Sequence, residues 1–248
     1  MNPNLIPLKK LVASIPVIFL FLTLSSFTDI QRISSTPVNL QYTFPRPVTD
    51  NTATQLYQSL GLELKGLSKE AFEYAWKGYQ KLTENKQVTN TTYLTICDFS
   101  QSSKQKRLYL IDINNETVVM NTWVAHGRNS GLDYATKFSN TPESLQSSLG
   151  FYVTKQTYTG EHGLSLKVQG LEPGFNDKAF QRAIVIHGAD YIGAQRMNSS
   201  SFMGRSYGCP AVPKEESATL INTIKNGTCL FIYHPSKKYL DNSKILND

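Results

Sequence analysis

Apolar and polar residues follow one period up to about residue 90 and another beyond it. Between residues 51 and 90 the apolar residues recur every three or four positions, which predicts helices. The first predicted helix covers residues 52–60 and ends at Gly61. The second begins after Ser68, a good N-cap, and places on one face Phe72, Ala75, Trp76, Tyr79 and Leu82. That spacing favours a helix packed on a sheet over an exposed aromatic platform for sugars.

From Thr92 onward, short apolar runs predict strands. These runs are rich in β-branched and aromatic residues: TYLTICDF, KRLYLIDI, TVVMNTWVA, LGFYVT, LSLKV, AIVIH and CLFIY. Asn114 and Asn115 tolerate a positive φ and predict a tight hairpin between the second and third runs. One late helix is predicted over residues 214–225, with Gly227 beyond its end. The fold class is therefore mostly β, with an N-terminal helical segment and one late helix.

The start of the chain has the pattern of an export signal. Lys9 and Lys10 precede an uncharged apolar stretch, which is followed by small residues at Ser25 and Ser26. The stretch is shorter than a membrane-spanning helix requires, so we expect cleavage, with an uncleaved membrane anchor as the alternative. An export signal places the protein in the periplasm or cell envelope.

The patterns divide the chain into five parts. Residues 1–27 are the signal peptide or N-terminal anchor, and residues 28–50 are a linker that contains prolines. Residues 51–90 are the helical segment, which we expect to pack on the main domain. Residues 91–236 form that mostly β domain, and residues 237–248 form a tail.

Composition excludes some partners. The formal net charge is +6 at pH 7 over 248 residues. The basic residues are scattered, without the clustered stripe and interleaved aromatics of a nucleic-acid reader, so we expect no nucleic acid as a partner. This mild positive charge is compatible with attraction to a polyanionic cell wall or a membrane surface.

The three cysteines occupy different contexts. Cys97 and Cys229 lie in apolar, strand-like runs, where buried free thiols and a mutual disulfide are both reasonable in an exported protein. Cys209 instead lies between Gly208 and Pro210 in the sequence GRSYGCPAVP. This context is a turn, so Cys209 is the candidate nucleophile.

A histidine that could activate Cys209 precedes it in the chain. The run RAIVIHGAD predicts a buried strand that ends on His187, with a turn at Gly188. A strand-end histidine and a turn cysteine can meet at the mouth of a barrel, where the imidazole takes the thiol proton and forms a thiolate–imidazolium pair. Gly208 lets the backbone approach a substrate, and the amides of Gly208 and Cys209 could donate to an oxyanion. From these residues alone, a structural histidine and an inert cysteine remain the alternative.

The sequence IVIHGADY, followed by GRSYGCPAV, contains a known order of motifs: His-Gly, a spacer, then Ser-x-Gly-Cys. This order resembles the L,D-transpeptidase (YkuD-type) catalytic domain, in particular the murein L,D-transpeptidase catalytic domain family. Further stretches are similar to that family, namely GLSKEAFEYAWKGYQKL, TICDFSQSSKQKRLYLIDI, VAHGRNSG, FSNTPESLQSSLGFYVT and GEHGLSLKVQGL. The resemblance implies a distorted β-barrel or sandwich.

The resemblance also implies roles for individual residues. Cys209 would be the acylated nucleophile, His187 its base, and Gly188 the neighbour whose carbonyl orients the imidazole. Ser206 and Gly208 match the turn of the family motif. A residue that departs from the motif is Tyr207, which replaces a second histidine; we expect its hydroxyl to support the oxyanion or its ring to pack the loop.

A second departure follows the cysteine. Pro210 and Ala211 replace the apolar residue and the arginine of the family pattern. Arg205 or Arg128 could take over that arginine's role of holding the loop or a substrate carboxylate. His162, in GEHGLS, is a further candidate for substrate contact, with a structural role as the alternative.

The resemblance implies that peptidoglycan stem peptides are the substrate. A thioester on Cys209 that is resolved by an amine gives a 3–3 crosslink, the L,D-transpeptidase reaction. Resolution by water would instead make the protein an L,D-carboxypeptidase. A non-catalytic cell-wall-binding protein and a cysteine hydrolase acting on other peptides are further alternatives. Carbapenem-type β-lactams are implied as inhibitors.

The family implies no metal or organic cofactor. A zinc site made from His126, His162, His187 and Cys209 would have enough ligands. The sequence nevertheless lacks H-x-x-x-H and C-x-x-C spacing. We therefore expect no metal site.

Overall fold

A computed structural model describes residues 50–248 of the chain. The predicted export signal at residues 1–27 and nearly all of the predicted linker at residues 28–50 lie outside the described residues. Among residues 50–248, no helix combines the length and apolar character needed to cross a membrane.

Two helices open the described part of the chain, as the apolar period predicted. Helix α1 covers Asp50–Ser59 and helix α2 covers Lys69–Glu84. The Ser68 hydroxyl caps α2 by accepting a hydrogen bond from the Ala71 N–H at 3.2 Å. The predicted apolar faces are buried, including Leu56, Tyr57 and Leu60 of the first helix and Phe72, Ala75, Trp76, Tyr79 and Leu82 of the second. The aromatic stripe of α2 is therefore core.

Eight strands form one mixed sheet. They are β1 (Tyr93–Asp98), β2 (Leu108–Asp112), β3 (Thr117–Thr122), β4 (Gly150–Gly160), β5 (Gly163–Gly170), β6 (Val185–Ala189), β7 (Ala211–Pro213) and β8 (Cys229–Tyr233). Their order is β3-β2-β1-β8-β4-β5-β6-β7. The β1–β8 and β6–β7 pairs are parallel, and the other pairs are antiparallel. The mostly β class is confirmed; β7, with three residues, is the one strand that no apolar run predicted.

The two edges of this sheet meet, which nearly closes it into a barrel. Ala125 follows the edge strand β3, and Ala211 begins the opposite edge strand β7. The Ala125 N–H donates to the Ala211 carbonyl at 2.8 Å in an isolated antiparallel bridge. A second bridge joins Gly127 to Ser206. The predicted barrel-like shape is confirmed, and the closure lies beside the turn that carries Cys209.

Helix α2 packs closely on the sheet because it contains a glycine at the contact. A Cβ on Gly78 would lie 2.0 Å from Cζ of Phe151. The Phe151 ring is fixed in turn by stacking on Phe231, with ring centroids 4.1 Å apart. Glycine therefore allows a close approach here, although it weakens a helix interior relative to alanine.

Some predicted details of the turns and cysteines change. The β2–β3 hairpin is present, but its left-handed residue is Glu116, with φ +49, and not Asn114 or Asn115. Cys97 and Cys229 are buried free thiols. In the parallel β1–β8 register Cys229 pairs with Leu94, three residues before Cys97, so the two side chains lie on opposite faces and cannot form a disulfide.

The late helix is confirmed as α4 (Lys214–Ile224), with Leu220, Ile221 and Ile224 buried. Three shorter helices were not predicted: α3 (Ala194–Ser199), α5 (Lys237–Leu240) and α6 (Lys244–Asn247). The last two occupy residues 237–248, which the sequence analysis describes as a tail. Tyr239 and Leu246 of this segment are buried in the main core. The segment is therefore part of the folded domain.

A buried carboxylate, Glu172, holds this C-terminal segment. It accepts hydrogen bonds from the Phe151 N–H and the Tyr239 hydroxyl, each at 2.8 Å, and from the Ser243 hydroxyl. Burial raises the pKa of Glu172, and these three uncharged donors oppose the shift. The carboxylate therefore connects β4 to both α5 and the start of α6.

Removing one of these donors should destabilise the fold. We predict that Tyr239→Phe lowers the free energy of unfolding by about 1.5–3 kcal/mol, because a buried carboxylate loses a hydrogen bond while the ring is kept. Urea denaturation measures the change. The matched control is Tyr134→Phe, whose side chain is 54% exposed and which should leave stability unchanged. Equal stabilities for the two variants would contradict the role given to Glu172.

Candidate active site

The parallel pairing of β6 with β7 brings His187 and the Cys209 turn to the same edge of the sheet. His187 pairs with Ala211, two residues after Cys209. The Cys209 thiol lies 3.9 Å from the Ala183 carbonyl oxygen and receives a hydrogen bond from the Val185 backbone. Val185 lies two residues before His187 on β6, so the Cys209 turn lies along the strand that carries the imidazole. The strand does not end on His187 as predicted but continues to Ala189, because Gly188 and Ala189 also pair with β7.

The His187 ring is oriented by its own neighbour. Its Nδ1 lies 3.0 Å from the Gly188 carbonyl oxygen. An N–H at Nδ1 donates to this oxygen, which leaves the lone pair on Nε2 to act as a base. The exposed ring of His162 stacks on His187 with centroids 4.3 Å apart. Of the candidate contacts named from the sequence, His162 thus lies against the base, and Gly188 holds the position that the resemblance implies.

The Cys209 turn is braced by Ser206. The Ser206 hydroxyl donates to the Cys209 carbonyl at 2.6 Å and accepts from the Gly208 N–H at 3.1 Å. Gly208 has φ +121, and a Cβ there would lie 2.9 Å from the Gln146 carbonyl oxygen. The Gly208 N–H, which the sequence suggested as an oxyanion donor, already donates to Ser206 in this structure. The Cys209 N–H is the amide of this pair left for that role.

The other candidates in the motif lie around this turn. Tyr207 is 68% exposed, and the Arg128 guanidinium lies 5.8 Å from its ring centroid. Both roles expected of Tyr207, support of the oxyanion and packing of the loop, stay predictions. Arg205 donates through Nη1 to the Arg128 carbonyl at 2.8 Å and to the Gly131 carbonyl at 3.0 Å. Arg205 thus holds the neighbouring loop.

Arg182, which no sequence pattern marked as a site residue, lies beside the Cys209 turn. One of its terminal nitrogens, Nη2, lies 3.4 Å from the position a Cβ on Gly208 would take. The guanidinium also bonds to residues 139–148, a loop that no apolar pattern marked. The sequence feature that could have pointed to Arg182 is its position in RAIVIHG, just before the strand that carries His187.

Burial shifts the Cys209 thiol and the His187 imidazole toward their neutral forms. It raises the pKa of the Cys209 thiol, while the Val185 amide and the Arg182 charge oppose that shift. It lowers the pKa of His187; the Gly188 hydrogen bond opposes this and His162 adds to it. Both shifts favour an uncharged thiol and an uncharged imidazole before substrate binds. The thiolate–imidazolium pair stays a prediction, which the pH dependence of Cys209 alkylation tests.

The residues weighed as zinc ligands do not converge. His126 is buried, and Arg107 donates through Nη2 to its Nδ1 at 2.7 Å. Burial first, and then the Arg107 charge, lower the pKa of His126 to about 4. Across residues 50–248, no group of three or more His, Cys, Asp or Glu side chains is placed to hold a metal ion. His126 instead supports the Cys209 turn, since its carbonyl accepts the Ser206 N–H at 3.0 Å.

Comparison with protein families identifies the domain. A family model described as the L,D-transpeptidase catalytic domain matches residues 63–233, more than half of the chain. The chain belongs to the L,D-transpeptidase catalytic domain family. This confirms the resemblance drawn from the motifs, and the match includes both His187 and Cys209. A comparison with curated proteins gives no match.

Solved structures of L,D-transpeptidases are distant neighbours of this family member. An L,D-transpeptidase from Mycobacterium smegmatis shares 10% identity at a TM-score of 0.36, covering 58% of this chain and 59% of its own. L,D-transpeptidase 3 from Mycobacterium tuberculosis shares 8% identity at a TM-score of 0.38, covering 58% and 61%. One from Xylanimonas cellulosilytica shares 16% identity at a TM-score of 0.32, covering 57% and 60%. The chain thus spans about three fifths of these structures, and the family assignment rests on the family model.

The neutral thiol leads to a pH prediction. We expect the rate of Cys209 alkylation by iodoacetamide to rise between about pH 7 and pH 9 without levelling off, because a raised thiol pKa leaves most of the thiolate to form above that range. Peptide mapping by mass spectrometry gives the rate for each cysteine.

Cys97 and Cys229 are internal controls in the same sample. Both are buried, and burial raises the pKa of Cys97 to about 12. They should react only after unfolding. A Cys209 rate that is already level from about pH 6 upward would reveal a preformed thiolate and contradict the neutral pair.

Proposed function

We propose that this protein is a peptidoglycan L,D-transpeptidase that forms 3–3 crosslinks through a thioester on Cys209, with His187 as the base. Membership of the L,D-transpeptidase catalytic domain family supports the reaction class. The observation that carries the residue roles is the β6–β7 register, which pairs His187 with Ala211 and so sets the imidazole beside the Cys209 turn.

The first half-reaction would acylate Cys209. Its sulfur attacks the carbonyl carbon at the L-centre of the diamino residue, while the thiol proton passes to Nε2 of His187. The Cys209 N–H is available to stabilise the oxyanion of the tetrahedral intermediate. The C–N bond to the terminal D-alanine then breaks, and the leaving amine takes the proton from the imidazolium. Acylation therefore ends with a thioester, free D-alanine and a neutral His187.

The second half-reaction would transfer the acyl group. The amine of a second stem peptide attacks the thioester carbonyl and gives a proton to His187. The C–S bond breaks, and the sulfur recovers that proton. One amide has been exchanged for another, so no ATP is needed. Water in place of the amine would give a tripeptide, the L,D-carboxypeptidase outcome.

The same nucleophile makes β-lactams candidate ligands. One neighbouring structure is of an L,D-transpeptidase, LdtMt1, in complex with imipenem, and another is of L,D-transpeptidase 3 from Mycobacterium tuberculosis with a faropenem-derived adduct. We infer that carbapenem-type β-lactams acylate Cys209 by ring opening. The substrate lies outside the cytoplasmic membrane, so this function also requires export, as the pattern of residues 1–27 suggests.

Intact-protein mass spectrometry after incubation with a disaccharide tetrapeptide tests the proposal. The wild type should carry an acyl adduct and release D-alanine, and Cys209→Ala should do neither. We predict that His187→Gln slows D-alanine release by about 10²–10⁴-fold, because it removes the general base. The control Tyr134→Phe changes an exposed tyrosine to which no role in the site is given, and it should release D-alanine at nearly the wild-type rate.

Product analysis in the same samples separates the two outcomes. Crosslinked dimers identify a transpeptidase, and tripeptides without dimers identify a carboxypeptidase. Folded wild-type protein that has reduced Cys209, yet forms no adduct and releases no D-alanine, would overturn the proposal in favour of a wall-binding protein.

A further inference from the structure

Residues 139–148, the wall segment, form one side of the Cys209 turn. The Gln146 carbonyl oxygen lies 2.9 Å from the position that a Cβ on Gly208 would take. The Ser147 hydroxyl lies 3.4 Å from the Gly208 carbonyl and donates to it. Movement of the wall segment would therefore move the residue that precedes the nucleophile.

The backbone of the wall segment is unusual. Glu143 has φ +61 and Leu145 has φ +57, left-handed conformations that residues other than glycine adopt at a cost. Such conformations persist only where surrounding contacts hold them. Contacts from outside the segment are therefore needed to keep its shape.

Arg182 supplies four of these contacts from one guanidinium group. Its Nη1 donates to the Ser139 carbonyl at 2.8 Å and the Ser148 hydroxyl at 2.5 Å. Its Nη2 donates to the Gln146 carbonyl at 2.7 Å and the Ser144 hydroxyl at 3.2 Å. A planar fork with fixed donors can bridge both ends of a loop, whereas a lysine ammonium cannot reproduce this geometry.

The Arg182 guanidinium also places a positive charge near the Cys209 thiol. The titratable or charged groups around Cys209 are Arg182, Tyr191 from the segment after β6, Tyr207 beside Tyr191, and His187, which pairs with Ala211 two residues after the cysteine. Burial, then the charges of Cys209 and Tyr207, raise the pKa of Tyr191 to about 12, so its hydroxyl is neutral. With His187 also neutral, Arg182 is the member of this set that is positive at neutral pH.

We propose that Arg182 is a positioning residue of the reaction, which clamps the wall segment against the Cys209 turn and stabilises the thiolate that forms during attack. This proposal rests on the proposed function for the attack itself, but the clamp and the charge act on the thiol without any substrate. In the family pattern an arginine stands at the position of Ala211, where it would hold the loop. Arg182 would take over that role here. Arg128 and Arg205, named for that role from the sequence, contact Tyr207 and the backbone carbonyls of residues 128 and 131 instead.

The test compares Arg182→Gln, Arg182→Lys and the wild type by the pH profile of Cys209 alkylation with iodoacetamide. We expect Arg182→Gln to shift the profile upward by about one pH unit, which is roughly tenfold slower alkylation at neutral pH. Arg182→Lys keeps the charge but loses the fork, so its profile should lie between the other two. The matched control is Arg196→Gln in α3, because the Arg196 guanidinium lies over the Phe202 ring, 5.8 Å from its centroid, and the variant should leave the profile unchanged.

Melting temperature and near-ultraviolet circular dichroism establish that each variant is folded. A folded Arg182→Gln protein with the wild-type pH profile would overturn the proposal, even if its melting temperature falls, because that is the result of a merely structural arginine. If Arg182→Gln does not fold, the profile of Arg182→Lys decides: a wild-type profile overturns the proposal, and an upward shift supports it.

Acylation by the disaccharide tetrapeptide tests the clamp separately. Arg182→Lys should form the acyl adduct about tenfold more slowly than the wild type, and acylation at the wild-type rate would overturn the clamp. Absence of acylation in the wild type would overturn the proposed function but not the alkylation result, so the two failures are distinguishable.

Discussion

The parallel pairing of β6 with β7 is the constraint on which the rest of this site depends. It fixes His187 against Ala211, and therefore fixes the imidazole relative to the cysteine two residues earlier. The pairing is short, and β7 is held on its other side by the Ala125–Ala211 bridge that nearly closes the sheet. Closure of the barrel and assembly of the site are thus one structural event, because the same residue, Ala211, takes part in both.

Burial favours the uncharged forms of the two candidate reactive groups in this site. Removing water from the Cys209 thiol and the His187 imidazole favours the uncharged form of each group. The cysteine is therefore kept as a thiol until a substrate binds. Charge then has to develop during attack, and the groups that can stabilise it are fixed beforehand. In the proposed reaction these groups would be the Cys209 N–H, since the Gly208 N–H already donates to Ser206, and the guanidinium of Arg182.

Sequence predicted well those elements whose side chains repeat with a clear period. The buried face of α2 and the long apolar strands follow from local pattern, and the order of motifs indicated the family and the two candidate reactive side chains. It could not predict β7, whose three residues are too few to show a period, or the burial of Tyr239, which depends on a carboxylate at Glu172. Arg182 was missed for the same reason, since its four acceptors lie more than thirty residues earlier in the chain. The pKa shifts of Cys209 and His187 could not be predicted either, because they depend on burial, which exists only in the folded chain.

The central claim, a neutral Cys209–His187 pair held by the β6–β7 register, is tested most directly by the pKa of His187. Nuclear magnetic resonance titration of histidine-labelled protein should be carried out on the wild type and on Cys209→Ala, with assignment by His187→Gln. The account predicts a His187 pKa below its ordinary value in the wild type and nearly the same value in Cys209→Ala, because a neutral thiol exerts little charge on the ring. A His187 pKa above the ordinary value that falls by more than about one unit in Cys209→Ala would reveal an ion pair and contradict the account.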